Sequence, residues 1–179
     1  MKVDWNVCPG WIPMYLGTVI ETTRLGRMVE EGKPAPDFEL ATDTGERVKL
    51  SDLRGKPVVL YFYPKDDTPG CTKQACDIRD SWGEFQRAGA LVYGVSPDGE
   101  ASHAKFRAKY GLPFPLLADV GHQVSEAYGV WKQKTFAGRK YMGVERSTFV
   151  VAPDGTLAKV MRKVDPKTHA DDVLAVLAG

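Results

Sequence analysis

Two continuous apolar runs, each followed by a helical stretch, and a strand pair near the C-terminus predict an α/β domain. Its expected core is a central mixed β-sheet with helices on both faces. The first run is Pro57-Val58-Val59-Leu60-Tyr61-Phe62-Tyr63 and the second is Ala90-Leu91-Val92-Tyr93-Gly94-Val95-Ser96. Their length and β-branched content suit strands buried on both sides, the kind found inside a parallel β-α-β unit. The third observation is Arg146 to Ala152, a turn at Pro153-Asp154-Gly155-Thr156, and Leu157 to Val164. That pattern reads as a hairpin, hence an antiparallel finish.

The other elements follow in order. Pro34-Ala35-Pro36 is an extended lead-in, because a residue before proline avoids the helical region. Phe38-Glu39-Leu40 and Arg47-Val48-Lys49-Leu50 flank a turn at Asp43-Thr44-Gly45-Glu46 and predict an N-terminal β-hairpin extension of the sheet. Ser51 to Gly55 reads as a single capped turn. After the first apolar run comes the loop Pro64-Lys65-Asp66-Asp67-Thr68-Pro69-Gly70, then a helix from Cys71 to about Arg87, stopped by Gly89. Glu100 to Tyr110 is the next helix, closed by Gly111. Pro115 to Ala118 is a short strand, His122 to Tyr128 a short helix, and Lys167 to Leu177 a closing helix. No element is assigned between Trp131 and Glu145.

The chain has 179 residues, of which 43% are hydrophobic and 26% charged, with a formal net charge of +1. A single domain of this size supports its own core without disulfides. Balanced charge gives no footprint for nucleic acid or an anionic membrane. No stretch approaches the roughly 18 apolar residues of a membrane span. Residues 1–27 stand apart from the domain at 28–179. Lys2 and Asp4 cancel, and no small-residue cleavage site follows, so the segment lacks the marks of a secretory leader. It reads either as a tail packed on the domain, with Trp5, Trp11, Ile12, Met14, Tyr15 and Leu16 as its apolar contacts, or as upstream sequence with Met28 as the start.

Three cysteines, Cys8, Cys71 and Cys76, are too few and too uneven for a secreted disulfide framework and fit a reducing, cytoplasmic setting. His103, His122 and His169 are widely spaced. None has metal-ligand spacing to a cysteine or another histidine, so they read as ordinary surface or packing residues, and no metal or cofactor is expected.

Cys71 carries the chemistry. It follows a buried strand and a Pro-Gly turn, which places it in the first turn of a helix, at the carboxyl end of a strand where α/β sites form. Free backbone N–H groups and the positive end of the helix dipole there favour a thiolate, the reactive form of cysteine. The bland alternative is that Cys71 packs as a small hydrophobe. Cys76 lies five residues on. Along a regular helix that step rises about 7.5 Å and turns the side chains some 140° apart, a Cα separation of roughly 8.6 Å. A disulfide needs less than about 7 Å, so pairing these two thiols requires the start of the helix to unwind.

Pro64-x-x-x-Thr68-x-x-Cys71 resembles the P-x-x-x-T-x-x-C motif of the peroxiredoxins. The longer string, Gly70-Cys71-Thr72 with Gln74-Ala75-Cys76 and Arg79-Asp80, resembles the bacterioferritin comigratory protein (Q-type) branch, an atypical two-cysteine group. Further matches are Lys33-x-Ala35-Pro36-x-Phe38, Gly94-Val95-Ser96, Phe114 to Asp119, Tyr128 to Trp131 and Arg146-Ser147-Thr148-Phe149. The likeness runs from about residue 28 to the end and gives Cys8 no role.

The resemblance implies a thioredoxin-like fold and a thiol-dependent peroxidase acting on hydrogen peroxide and organic hydroperoxides. It implies Cys71 as the peroxide-attacking nucleophile, Thr68 as a hydrogen-bonding partner of the peroxide, and Pro64 as the loop-shaping shield. Arg146 would hold the thiolate and stabilise the breaking O–O bond, and Cys76 would resolve the sulfenic acid within one chain. Thioredoxin or a similar dithiol would be the reductant, and the protein a monomer or weak homodimer. Taken alone, Thr68 also reads as a helix cap and Arg146 as a surface cation. A thiol–disulfide oxidoreductase of the same fold is the competing activity; that class uses C-x-x-C, and the spacing here is C-x-x-x-x-C. A binding or chaperone-like role through the N-terminal apolar segment is a third reading.

Overall fold

The computed structural model describes residues 29–179. The tail expected at 1–27, with Cys8, lies outside them. The chain forms β1 (Glu39–Thr42), β2 (Arg47–Lys49), a 3-10 turn at Leu50–Leu53, β3 (Val58–Phe62), α1 (Pro69–Asp80), α2 (Trp82–Arg87), β4 (Leu91–Ser96) and α3 (Glu100–Tyr110). It continues with β5 (Leu116–Ala118), α4 (Gln123–Ala127), β6 (Trp131–Phe136), β7 (Arg139–Val144), β8 (Ser147–Val151), β9 (Leu157–Arg162) and α5 (His169–Ala178). Seven strands form one sheet in the order β2-β1-β5-β4-β3-β8-β9. β4 pairs in parallel with both β3 and β5. β8 is antiparallel to β3 and β9, and β1 to β2 and β5. The expected mixed thioredoxin-like sheet is present, with the β1–β2 hairpin at its N-terminal end.

β3 sits centrally, and all five of its residues are buried. Because side chains alternate across a strand, Val59, Tyr61 and the adjoining Tyr63 enter one core layer while Val58, Leu60 and Phe62 enter the other. The first layer is roofed by Cys71, Ala75 and Ile78 of α1, Phe85 of α2, Phe106 of α3 and Val173 of α5. The second is covered by Val124 of α4, Leu50 of the 3-10 turn, Tyr128 and Val144.

Three features differ from the expectation. The helix expected over 71–87 begins two residues earlier, at Pro69, and breaks at Ser81. Ser81 adopts φ −94°, ψ 11°, which ends α1. The new direction of α2 seats Phe85 in the core and sets the Trp82 ring 5.7 Å from that of Phe114. The unassigned stretch after Trp131 is a two-stranded ribbon, β6–β7. Its turn, Ala137-Gly138, has positive φ at both residues (49° and 76°), as a two-residue hairpin requires. The ribbon pairs only with itself and β7 is mostly exposed, so it carries no apolar alternation to read. Arg146 lies just ahead of β8 rather than inside the strand.

The sheet is closely packed at Gly94, which pairs with Tyr61 and Leu116. A Cβ at Gly94 would stand 2.6 Å from the Tyr61 hydroxyl and 2.7 Å from Leu116 Cδ2. Gly94→Ala is expected to lower unfolding free energy by about 1–3 kcal/mol through overpacking, measured by urea denaturation.

At the other side of β3, α5 is tied to the sheet by a 2.7 Å hydrogen bond between His169 Nε2 and Thr148 Oγ1. Burial, reinforced by the charge of Arg146, lowers the His169 pKa to about 4. A neutral histidine in the folded state and an ordinary one in the unfolded chain make stability fall as pH drops from about 6.5 toward 4. Thermal unfolding across that window is expected to show this slope, and His169→Gln to flatten it.

Candidate active site

The site grows from the end of β3. The chain leaves the sheet at Pro64, crosses a loop, and enters α1 with Thr68 at the N-cap position, Pro69 first and Gly70 second. Proline is suited to a first helical position, where no N–H is needed. The first helical hydrogen bond runs from Thr72 N–H to Thr68 O at 2.8 Å. Cys71, the third helical residue, therefore precedes it, among the amides that a helix start leaves without helical acceptors.

The sheet register brings in the second group. β8 runs antiparallel to β3 with Phe62 opposite Ser147, so the preceding residue, Arg146, falls beside the loop that follows β3. Its Nη2 lies 3.2 Å from the Cys71 Sγ. Cys71 is 1% exposed and Arg146 half-buried, so water screens the pair only in part. Arg146 Nη1 donates to Gln74 Oε1. Gln74 is fully buried and sits three residues after Cys71, on the same helix face. One side chain thus orients the guanidinium and the other receives it. The close approach is possible because Gly70 has no side chain: a Cβ there would stand 3.3 Å from Arg146 Nη2.

Gln74 is the residue that sequence reading overlooked. The i, i+3 spacing from Cys71 was its signal, but nothing in the sequence pairs it with Arg146. Thr68 makes no side-chain cap; its hydroxyl donates to Lys65 O at 3.1 Å and holds the loop. Pro64 is half-buried where the loop starts. Cys76 is half-buried further along α1, and both it and Cys71 are free thiols. Tyr61 lies in the core layer beneath. Burial first, then the neighbouring Asp66 carboxylate, pushes its phenol far up, so it stays neutral. A further cation stands nearby: Lys134 of β6 donates to Val144 O at 2.5 Å. Burial and then Arg146 lower its pKa, while Glu145 and Cys71 oppose the shift.

The loop itself is held by a buried polar network. The Asp66 carboxylate receives Tyr63 OH at 2.7 Å, Ser102 Oγ at 2.7 Å and His103 Nδ1 at 2.8 Å. Burial alone would raise the Asp66 carboxyl, but the hydrogen bonds from His103, Ser102 and Tyr63 outweigh it and hold it below the ordinary range. His103 and His169 are packing residues in the sense expected, fully buried, yet both are hydrogen-bonded. Among the described residues no group of three or more His, Cys, Asp or Glu is placed to hold a metal, and no helix is long and apolar enough to cross a membrane.

A buried cysteine at a helix start, gripped by an arginine, suits nucleophilic attack by sulfur. Known proteins carry the same combination of fold and sequence. The model of the AhpC/TSA family matches residues 31–160. Peroxiredoxin Bcp of Bacillus subtilis is 53% identical over 149 residues, covering 83% of this chain and 95% of that protein. Peroxiredoxin Bcp of Escherichia coli K12 is 42% identical over 146 residues, covering 82% and 94%. Among solved structures, Xanthomonas campestris bacterioferritin comigratory protein, studied for alkyl peroxide reduction, superposes with a TM-score of 0.78 at 39% identity, covering 83% of this chain and 98% of that one. A cysteine-to-serine mutant of Xylella fastidiosa PrxQ gives 0.80 at 34% identity, covering 86% and 98%. With the family model spanning most of the domain and the sulfur–guanidinium pair at its centre, this chain belongs to the AhpC/TSA family, as a peroxiredoxin of the bacterioferritin comigratory, or Q, type.

Proposed function

We propose that Cys71 is the peroxide-attacking nucleophile of a thiol peroxidase and that Cys76 resolves the product within the same chain. The observation that carries this reading is Arg146 Nη2 at 3.2 Å from a buried Cys71 Sγ at the start of α1. The cationic fork and the helix dipole both favour negative charge on sulfur. The thiolate attacks one peroxide oxygen; the O–O bond breaks, the departing oxygen takes a proton and leaves as water or alcohol, and Cys71 becomes a sulfenic acid. In this reading Arg146 stabilises the charge that moves from sulfur to the leaving oxygen, and Gln74 keeps it in line. In this reading Thr68 meets the peroxide with its hydroxyl, and Pro64 shapes the loop that shields the sulfur.

The Cys76 thiol then condenses with the sulfenic acid, releasing water and leaving a Cys71–Cys76 disulfide. A dithiol of the thioredoxin kind reduces it by exchange. Organic hydroperoxides join hydrogen peroxide as substrates, in keeping with the alkyl peroxide reduction studied in the Xanthomonas campestris relative. The setting is cytoplasmic, the role antioxidant, and the protein a monomer or weak homodimer because the resolving thiol is in cis. The extension at 1–27 is an appendage to the catalytic domain at 28–179. A thiol–disulfide oxidoreductase of this fold uses a C-x-x-C pair, and the two thiols here are spaced C-x-x-x-x-C.

Cys71→Ser is expected to abolish peroxide consumption in a thioredoxin-coupled assay; retained turnover would sink the assignment. After one equivalent of hydrogen peroxide, peptide mass spectrometry is expected to find Cys71 linked to Cys76, and a link to Cys8 would reassign the resolving thiol.

Removing the donor at the breaking bond should slow the reaction with peroxide most. Arg146→Ala is expected to lower kcat/KM by roughly 100- to 1,000-fold, the cost of a lost transition-state donor. Gln74→Ala, which keeps Arg146 but frees it, is expected to show a smaller loss, with folding unchanged by circular dichroism.

A further inference from the structure

Helix α3 contacts the active-site segment at two separated places. At the near end, Asp66 and Asp67 are both held. Asp66 N–H donates to Asp98 Oδ2 at 2.7 Å, and its carboxylate takes Ser102 Oγ and His103 Nδ1 of α3. The His103 ring faces acceptors on both sides, since Nε2 lies 3.2 Å from Leu117 O. Asp67 has a left-handed backbone, φ 53°, and its carboxylate takes Tyr110 OH at 2.5 Å and Lys109 Nζ at 2.7 Å. At the far end, Arg79 Nη1 donates to Tyr110 O at 2.7 Å. One helix thus pins residues 66–67 and residue 79. Both cysteines lie between.

We infer that α3 is the fixed frame of the redox rearrangement, with Asp66, His103 and Tyr110 as positioning residues that confine unwinding to residues 68–78. This rests on the Cys71–Cys76 pairing proposed above. Five helical residues hold the two thiols too far apart for a disulfide, so the intervening segment must leave its helical path. Chain ends held by side-chain contacts to α3, buried at Asp66 and more exposed at Asp67 and Arg79, stay put, and the strain falls on what lies between. The near anchor also sets where the loop delivers Cys71 to Arg146 before the reaction. Loosening it should therefore slow the peroxide step and quicken disulfide closure. A residue that only stabilises the fold would not move the two steps in opposite directions.

The experiment is hydrogen exchange read by mass spectrometry on the full chain, reduced and after one equivalent of hydrogen peroxide, together with stopped-flow kinetics of both steps. Protection should be lost over 68–78 and kept over 100–110 and at 66–67. Loss across α3 or at 66–67 would overturn the frame while leaving the disulfide assignment intact. If no Cys71–Cys76 peptide forms, the site reading and the frame fall together. Asp66→Asn should slow sulfenic acid formation by roughly tenfold, since displaced reacting groups lose rate steeply. Tyr110→Phe, which removes one hydroxyl at a largely exposed contact, should accelerate closure by about threefold to tenfold, the range of one net hydrogen bond. Equal slowing of both steps, or no change in either, in Tyr110→Phe would refute the positioning role even if Asp66→Asn does not fold.

Discussion

A guanidinium within 3.2 Å of a buried sulfur is the contact around which the domain is arranged. Neither group reaches that position alone. Cys71 arrives through the parallel half of the sheet: β3 delivers the chain to a loop, and the loop to the start of α1. Arg146 arrives through the antiparallel half, on the residue before β8. The two halves meet along the β3–β8 ladder, whose register sets Phe62 opposite Ser147. A one-residue slip would move every side chain of β8 to the other face. It would also take Arg146 away from the sulfur. The apolar content of β3, buried on both faces, is thus a constraint on the sulfur–guanidinium contact as well as a stabilising one.

Burying that contact has consequences for its neighbours. An arginine drawn partly out of water needs hydrogen-bond acceptors, and a fully buried glutamine one helical turn from the cysteine supplies one. Its charge then acts on groups around it. It contributes to the low pKa of His169 and of Lys134. The helix that holds His169 is docked by that neutral ring, so the same cation that serves sulfur also favours the protonation state that α5 needs.

The parts legible in the sequence are those where local pattern and tertiary structure agree. Pro57 to Tyr63 is apolar at every position and lies mid-sheet. Glu100 to Tyr110 is bounded by a C-cap at Gly111 with φ 60°, and its limits were readable to the residue. Cys71 was legible because a Pro-Gly turn after a buried strand announces a helix start. The β6–β7 ribbon was not, because strands paired only with each other and bathed in solvent carry no burial period. The bonds of Gln74 to Arg146 and of His103 to Asp66 were not legible for a different reason. These partners lie 72 and 37 residues away, and long-range pairing leaves no mark in a single sequence. Thr68 had two readings, and its bond to Lys65 O removes the helix-cap one.

The composition of α1 bears on how such a helix would accommodate the proposed Cys71–Cys76 disulfide, which distorts it. Its first residues are Pro69, Gly70, Cys71 and Thr72. Glycine costs about 1 kcal/mol relative to alanine inside a helix, and threonine is also a poor former. Proline is at home only while it remains in the first turn. The start of α1 is therefore held less by its own propensity than by Cys71, Gln74 and Ala75 buried against the sheet. Ile78, fully buried two residues beyond Cys76, makes the far end of that segment the costlier one to unwind. Weak local helix formers at one end and a buried aliphatic anchor at the other make the N-terminal turns the cheaper ones to unwind, and those are the turns that separate the two thiols.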